Sequence, residues 1–65
     1  MNWDQIADNW KQLKGKAQAK WGDIIDVEWH SAEGRREELV SLVQEKYGHA
    51  NDAAEREVDD WMRHL

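Results

Sequence analysis

The sequence predicts an all-α protein: about four short helices around a tryptophan-rich core, with residues 1–65 forming one small domain. Three observations predict it. Proline is absent and β-branched residues are few, so local preference is helical nearly throughout. Apolar residues recur at spacings of three and four, the period of a half-buried helix. Five tryptophans stand in a chain with no cysteine. A domain this small has no disulfide to staple it, so the indoles must supply most of its cohesion. Each can bury roughly 150–250 Å².

The first helix is expected from about Asp4 to Trp21. Trp3, Ile6, Trp10, Leu13, Ala17 and Trp21 lie on one stripe, about 80° wide at the helical period. Gly15 falls off that stripe and is expected to weaken or break the helix in the middle. Gly22 is expected as a left-handed cap after it. The second segment, "DIIDVEWH" (residues 23–30), is long enough for one or two turns capped by Asp23 or Asp26. The third helix is expected from about Ala32 to Tyr47, with Ser31 as its N-cap and Gly48 as its C-cap. Leu39, Leu42, Val43 and Tyr47 form its inward face, with Val40 at the margin. The fourth begins near Asn51 or Asp52, either of which can cap it. Ala54, Val58, Trp61 and Leu65 face inward, and Arg63 and His64 occupy the last turn, the end that favours positive charge. "KAQAKWG" (16–22) and "LVQEKYG" (42–48) share Gln-x-Lys-aromatic-Gly, which suggests two helix–Gly–helix units on one core.

Charge narrows the function classes. Fourteen acidic residues oppose nine lysines and arginines, for a net charge of −5 and a mean hydropathy of −1.04. General binding to DNA or RNA depends on neutralising phosphate, so no nucleic-acid partner is expected. No apolar run approaches the 18 or so residues of a membrane span. The opening residues "MNWDQIADNW" carry early acids and no apolar run, unlike a secretory leader, so a cytoplasmic protein is expected. The stretch "NWKQLKGKAQAKWG" (9–22) holds Lys11, Lys14, Lys16 and Lys20 and no acid. On a wheel these lysines flank the apolar stripe, where their methylenes can cover it. Glu55, Glu57, Asp59 and Asp60 flank the stripe of the last helix in the same way. The expectation is that the first and last helices pack together, Trp10 or Leu13 against Val58 or Trp61, with opposed charges at the rims. A membrane-surface role for the first helix is disfavoured by the same burial and by net charge.

The residues that carry chemistry form no constellation. His30, His49 and His64 have no metal-binding spacing. His30 and Ser31 are adjacent, and adjacent helical residues do not face one another. Asp59 and Asp60 diverge for the same reason. "DIIDVE" lacks the glycine and terminal glutamate of a calcium loop. Gly15 and Gly34 are each followed by a basic residue but by no phosphate loop. Catalytic, cofactor-binding and metal-ligating residues are therefore all assigned as none, no cofactor is expected, and the protein is read as a non-enzyme and a monomer.

Three elements, "NWKQLKGKAQAKWG", "EGRREELVSLVQEKYG" and "AEREVDDW", closely resemble the CsbD-like stress-response family of small bacterial proteins. The resemblance runs from about Asn9 to Trp61. Ser41-Leu42 stands where the family often has Gly-Lys. The resemblance implies a compact fold of four short helices and expression under general, osmotic or stationary-phase stress. It implies no catalytic activity and supplies no site residues. Two mechanisms stay open: hydrophilin-like protection of other macromolecules, or docking of an unidentified protein partner through an exposed tryptophan patch.

Overall fold

The computed structural model describes residues 2–65. Five helices follow one another: α1 (Trp3–Asp8), α2 (Trp10–Lys20), α3 (Asp26–Ala32), α4 (Arg36–Tyr47) and α5 (Asn51–Arg63). They form a body of 28 × 23 × 18 Å. The helices pack mainly in chain order, α2 on α3, α3 on α4 and, most extensively, α4 on α5. The all-α class holds, with five helices in place of four.

The extra helix arises because the expected first helix divides at Asn9, not at Gly15. Asn9 sits at φ −108°, ψ 18°, outside helical geometry. Its side-chain amide donates to the Gln5 carbonyl at 2.9 Å, while its own N–H reaches the Gln5 and Ile6 carbonyls. A short amide side chain that competes for helix carbonyls is the physical cause of the bend. Asn2 caps α1 by accepting from the Gln5 N–H at 2.9 Å, and the Gln5 side chain returns the bond to the Asn2 N–H. Gly15 lies inside α2 on its open side.

Other boundaries shift for similar reasons. Gly22 does not adopt the left-handed conformation; Trp21 ends α2 with φ −123°, ψ 76°. Neither Asp23 nor Asp26 caps α3: Asp26 is its first residue, and the Glu28 carboxylate accepts from the Ile25 N–H at 3.1 Å. Ser31 is not an N-cap. It lies within α3, and its hydroxyl donates back to the Val27 carbonyl at 2.9 Å. The true α3–α4 turn is Glu33-Gly34, both left-handed at φ 54° and 76°. Gly48 ends α4 at φ 67°, as expected. Asn51 and Asp52 lie in the first turn of α5, whose N-cap is Ala50.

One core joins Ile6, Trp10, Leu13, Ala17, Trp21, Ile24, Trp29, Ala32, Leu39, Val40, Val43, Ala54, Val58 and Trp61. Val40 belongs to it and Leu42 sits at its margin, the reverse of the expected assignment. Leu65 and Tyr47 are only partly buried.

Candidate functional site

Four indoles build the centre of the molecule. The rings of Trp10 and Trp29 stack with centroids 3.6 Å apart and planes 6° from parallel. Each donates its indole N–H to the other's backbone carbonyl, Trp10 Nε1 to Trp29 O at 2.6 Å and Trp29 Nε1 to Trp10 O at 2.8 Å. A buried indole needs a partner for its single donor, and here the pair satisfies itself. Trp61 meets the Trp29 edge at 6.0 Å and an angle of 88°, and Trp21 lies 5.3 Å from Trp61. The series Trp10–Trp29–Trp61–Trp21 thus ties α2, α3 and α5 together. Trp3 is the fifth, partly buried and packed against the core edge.

Trp21 Nε1 donates to Glu57 at 2.7 Å, and the other carboxylate oxygen of Glu57 lies 3.0 Å from His49 Nε2. His49 stacks beside Tyr47, whose hydroxyl accepts from the Asp23 N–H at 3.2 Å. These contacts clasp the end of α2 and both flanking loops to α5. The rim charges are satisfied differently from the expected pattern. Lys14 reaches Asp26 at 3.3 Å, not α5. The α5 acids Asp59 and Glu55 pair with Arg36 of α4, Asp59 in a two-pronged bond of 2.9 and 3.0 Å. The first-to-last packing of lysine rim on acidic rim is therefore not what forms. α3 lies next to α2, and α4 next to α5, because the short loops between consecutive helices favour neighbours in the chain.

These pairs set the ionisation of their members. The Arg36 guanidinium holds the Asp59 carboxyl below its ordinary value, and Asp59 raises Arg36 in return. Lys46, 2.7 Å away, and the Ile25 N–H lower Glu28. Gln18 and Lys14 lower Asp26. All are partly or fully solvent-exposed links between helices.

The chemistry-bearing side chains remain dispersed. His30 is exposed, and His64 Nδ1 lies 2.7 Å from the Asp60 carbonyl at the end of α5. Asp59 and Asp60 diverge, Asp60 facing Arg63 at 3.8 Å. Among the described residues no three histidine or acidic side chains converge as a metal set. An open groove lies at the Asn9 bend, lined by Asp8, Trp10, Lys11, His30 and Glu33 among others. Sequence reasoning missed the Glu57–Trp21 and Glu57–His49 contacts. Glu57 reads as a rim acid on the wheel, and only the fold reveals what stands opposite it.

The model of the family described as CsbD-like matches residues 4–56. The chain belongs to the CsbD-like family. It is 48% identical to UPF0337 protein ECA0631 of Pectobacterium atrosepticum, over 98% of this chain and 93% of the relative. It is 48% identical to UPF0337 protein YjbJ of Escherichia coli K12, over 94% of this chain and 88% of the relative. It is 43% identical to UPF0337 protein RPA4217 of Rhodopseudomonas palustris, over 100% and 98%. No solved structure gives a significant match. The matched residues 4–56 contribute Trp10, Trp21 and Trp29 to the core and Asn9 to the bend. No helix among the described residues is long and apolar enough to cross a membrane.

Proposed function

We propose that this CsbD-like protein is a non-enzymatic, cytoplasmic bacterial stress-response protein that protects other macromolecules by hydrophilin-like shielding. The observation that carries the reading is the partition of its side chains. Trp10, Trp21, Trp29 and Trp61 are buried, the first three with their indole N–H groups bonded, while the surface is charged. No buried polar side-chain atom among the described residues lacks a partner. Such a body presents water-binding groups with few adhesive apolar patches, so it can crowd among other proteins without sticking to them. Four of the five tryptophans are buried and Trp3 is partly buried, which favours shielding over docking through tryptophan. The large apolar side chains that are exposed are Ile25 and Val27, at 57% and 71%.

The test is protection of a dried and rehydrated client enzyme. Recovered activity should exceed that given by an equal mass of albumin, and a variant unfolded by a core substitution should protect less. Recovery no better than with albumin rejects the shielding mechanism.

A further inference from the structure

The ion pairs that join one helix to another mostly keep their charge near neutral pH. Lys14 with Asp26, Lys46 with Glu28, and Arg36 with Glu55 and Asp59 each set a carboxylate against a lysine or arginine. Carboxylates titrate near pH 4, and lysine and arginine above about pH 10, so such pairs stay charged between about pH 5 and pH 8. Among the described residues the exception is His49 with Glu57, 3.0 Å apart. Histidine is the side chain whose charge ordinarily changes in that window. His49 stands in the α4–α5 loop, just after the left-handed Gly48, and its side chain is 38% exposed, so solvent protons reach it. Tyr47 at the end of α4 stacks against its ring, and from α5 Glu57 faces its Nε2; no second acid pairs with it among the described residues. The other oxygen of Glu57 accepts the Trp21 indole N–H at 2.7 Å. Trp21 is buried against Trp61, with the Lys20 ammonium 5.7 Å over its ring. One carboxylate thus bridges an exposed imidazole and a buried indole.

We propose that His49, Glu57 and Trp21 form a pH-responsive clasp, which tightens the α4–α5 loop and α5 onto the end of α2 when His49 takes up a proton. A neutral imidazole donates to the carboxylate only as its Nε2–H tautomer. The imidazolium presents that donor always and sets a full positive charge opposite Glu57, and bonds between charged partners are the stronger ones. A carboxylate pinned by the imidazolium holds the Trp21 N–H more firmly through its second oxygen, so a proton taken up at the surface is felt at a buried ring. The clasp is tighter on the acid side of the histidine titration and looser on the alkaline side. It needs an ionised carboxylate, so it operates only above the pH at which carboxylates protonate. The remaining histidines have no such link: His30 is exposed on α3, and His64 lies against the Asp60 carbonyl at the far end of α5.

Nuclear magnetic resonance of the full chain, titrated from about pH 8 to about pH 5, tests this. The Trp21 indole N–H resonance should move with the same midpoint as the His49 ring resonances. Exchange of that indole proton with solvent, corrected for the intrinsic pH dependence of exchange, should slow by up to about fivefold, the ceiling for one partly exposed ion pair. His49→Gln keeps a donor without the charge and should remove both effects, with the helical circular dichroism retained. Glu57→Gln keeps an acceptor for the indole but cannot form the ion pair, and should remove them too. His30→Gln and His64→Gln should leave both effects in place. A Trp21 resonance that stays flat through the His49 titration, or a step that survives His49→Gln, overturns the proposal. So does a step in the parent with unchanged or faster exchange, because the clasp would then sense the proton without tightening.

Discussion

Three glycine-to-alanine substitutions should give three different outcomes, and Gly34→Ala is the decisive one. Gly34 is buried in the α3–α4 turn at φ 76°. A Cβ there would stand 2.7 Å from both the Cα and the Cβ of Ala7 in α1. The left-handed conformation costs a non-glycine residue about 1–2 kcal/mol. Forcing an atom into a packed contact adds about 1–3 kcal/mol. Ala7 cannot swing aside, because one clashing atom is main chain, so the total is about 2–5 kcal/mol. A domain of this size has on the order of 3–5 kcal/mol in hand, so the variant should be largely or marginally unfolded. Gly48→Ala shares the positive φ, 67°, but meets nothing within 4 Å, so it should lose only the conformational 1–2 kcal/mol. Gly15→Ala, in open space within a helix, should gain about 0.5–1 kcal/mol. Urea unfolding followed by tryptophan fluorescence measures all three, with Gly34→Ala also made in the Gly15→Ala background to keep it foldable. If Gly34→Ala were no worse than Gly48→Ala, the close approach of turn and α1 would be refuted.

Three further outcomes follow from the core and its clasps. Glu57→Ala removes the acceptor of the Trp21 indole, which is 1% exposed, and should cost about 1–3 kcal/mol in urea unfolding. Glu57→Gln keeps an acceptor oxygen and should recover most of that loss; equal losses would show that the bond does not matter. Trp29→Phe deletes a bonded indole from the stacked pair and should cost roughly 2–4 kcal/mol, against under 1 kcal/mol for Trp3→Phe at the core edge. Thermal melts with the two variants indistinguishable would contradict that core map. Asp26, Glu28 and Asp59 are held below their ordinary values of 3.8, 4.5 and 3.8. Folding therefore gains from their ionisation above those values, and that gain is lost as pH falls through and below them. Arg36→Gln should flatten the acid loss of stability by removing the Asp59 contribution, and an unchanged slope between the two proteins would count against the pair.

The inward residues were legible in the sequence because a periodic stripe depends only on helix geometry. Ile6, Trp10, Leu13, Ala17 and Trp21 were placed correctly, as were Ala54, Val58 and Trp61. The boundaries were less legible, because short polar residues act through bonds that sequence patterns do not specify. Asn9 could cap, bend or merely decorate a helix, and its bond to Gln5 makes it bend. Ser31 could cap the next helix or bond back to the previous one, and it does the second. Gly34 read only as a glycine before a basic residue with no phosphate loop around it, whereas it is the residue that lets the turn touch Ala7. Helix pairing was misread because charge complementarity was given priority over loop length. Exposed ion pairs are worth 0–1 kcal/mol each, too little to choose a topology against short connections.

That ranking also explains why the charges could segregate as they did. Since the rims do not decide the fold, the acid-free stretch at 9–22 is not required by α5, which takes its cation from Arg36. Lys14 is the one lysine of that stretch bound to an acid among the described residues, and its partner is on α3. Among the described residues Lys11 and Lys16 make no ion pair, so their charges are not part of what holds the helices together. The core would survive their reversal, because Leu13 and Ala17 hold α2 in place from the opposite side. Stability and surface charge are thus separable in this protein, and reversing Lys11 and Lys16 should leave its unfolding free energy, measured in urea, within about 0.5 kcal/mol of the parent.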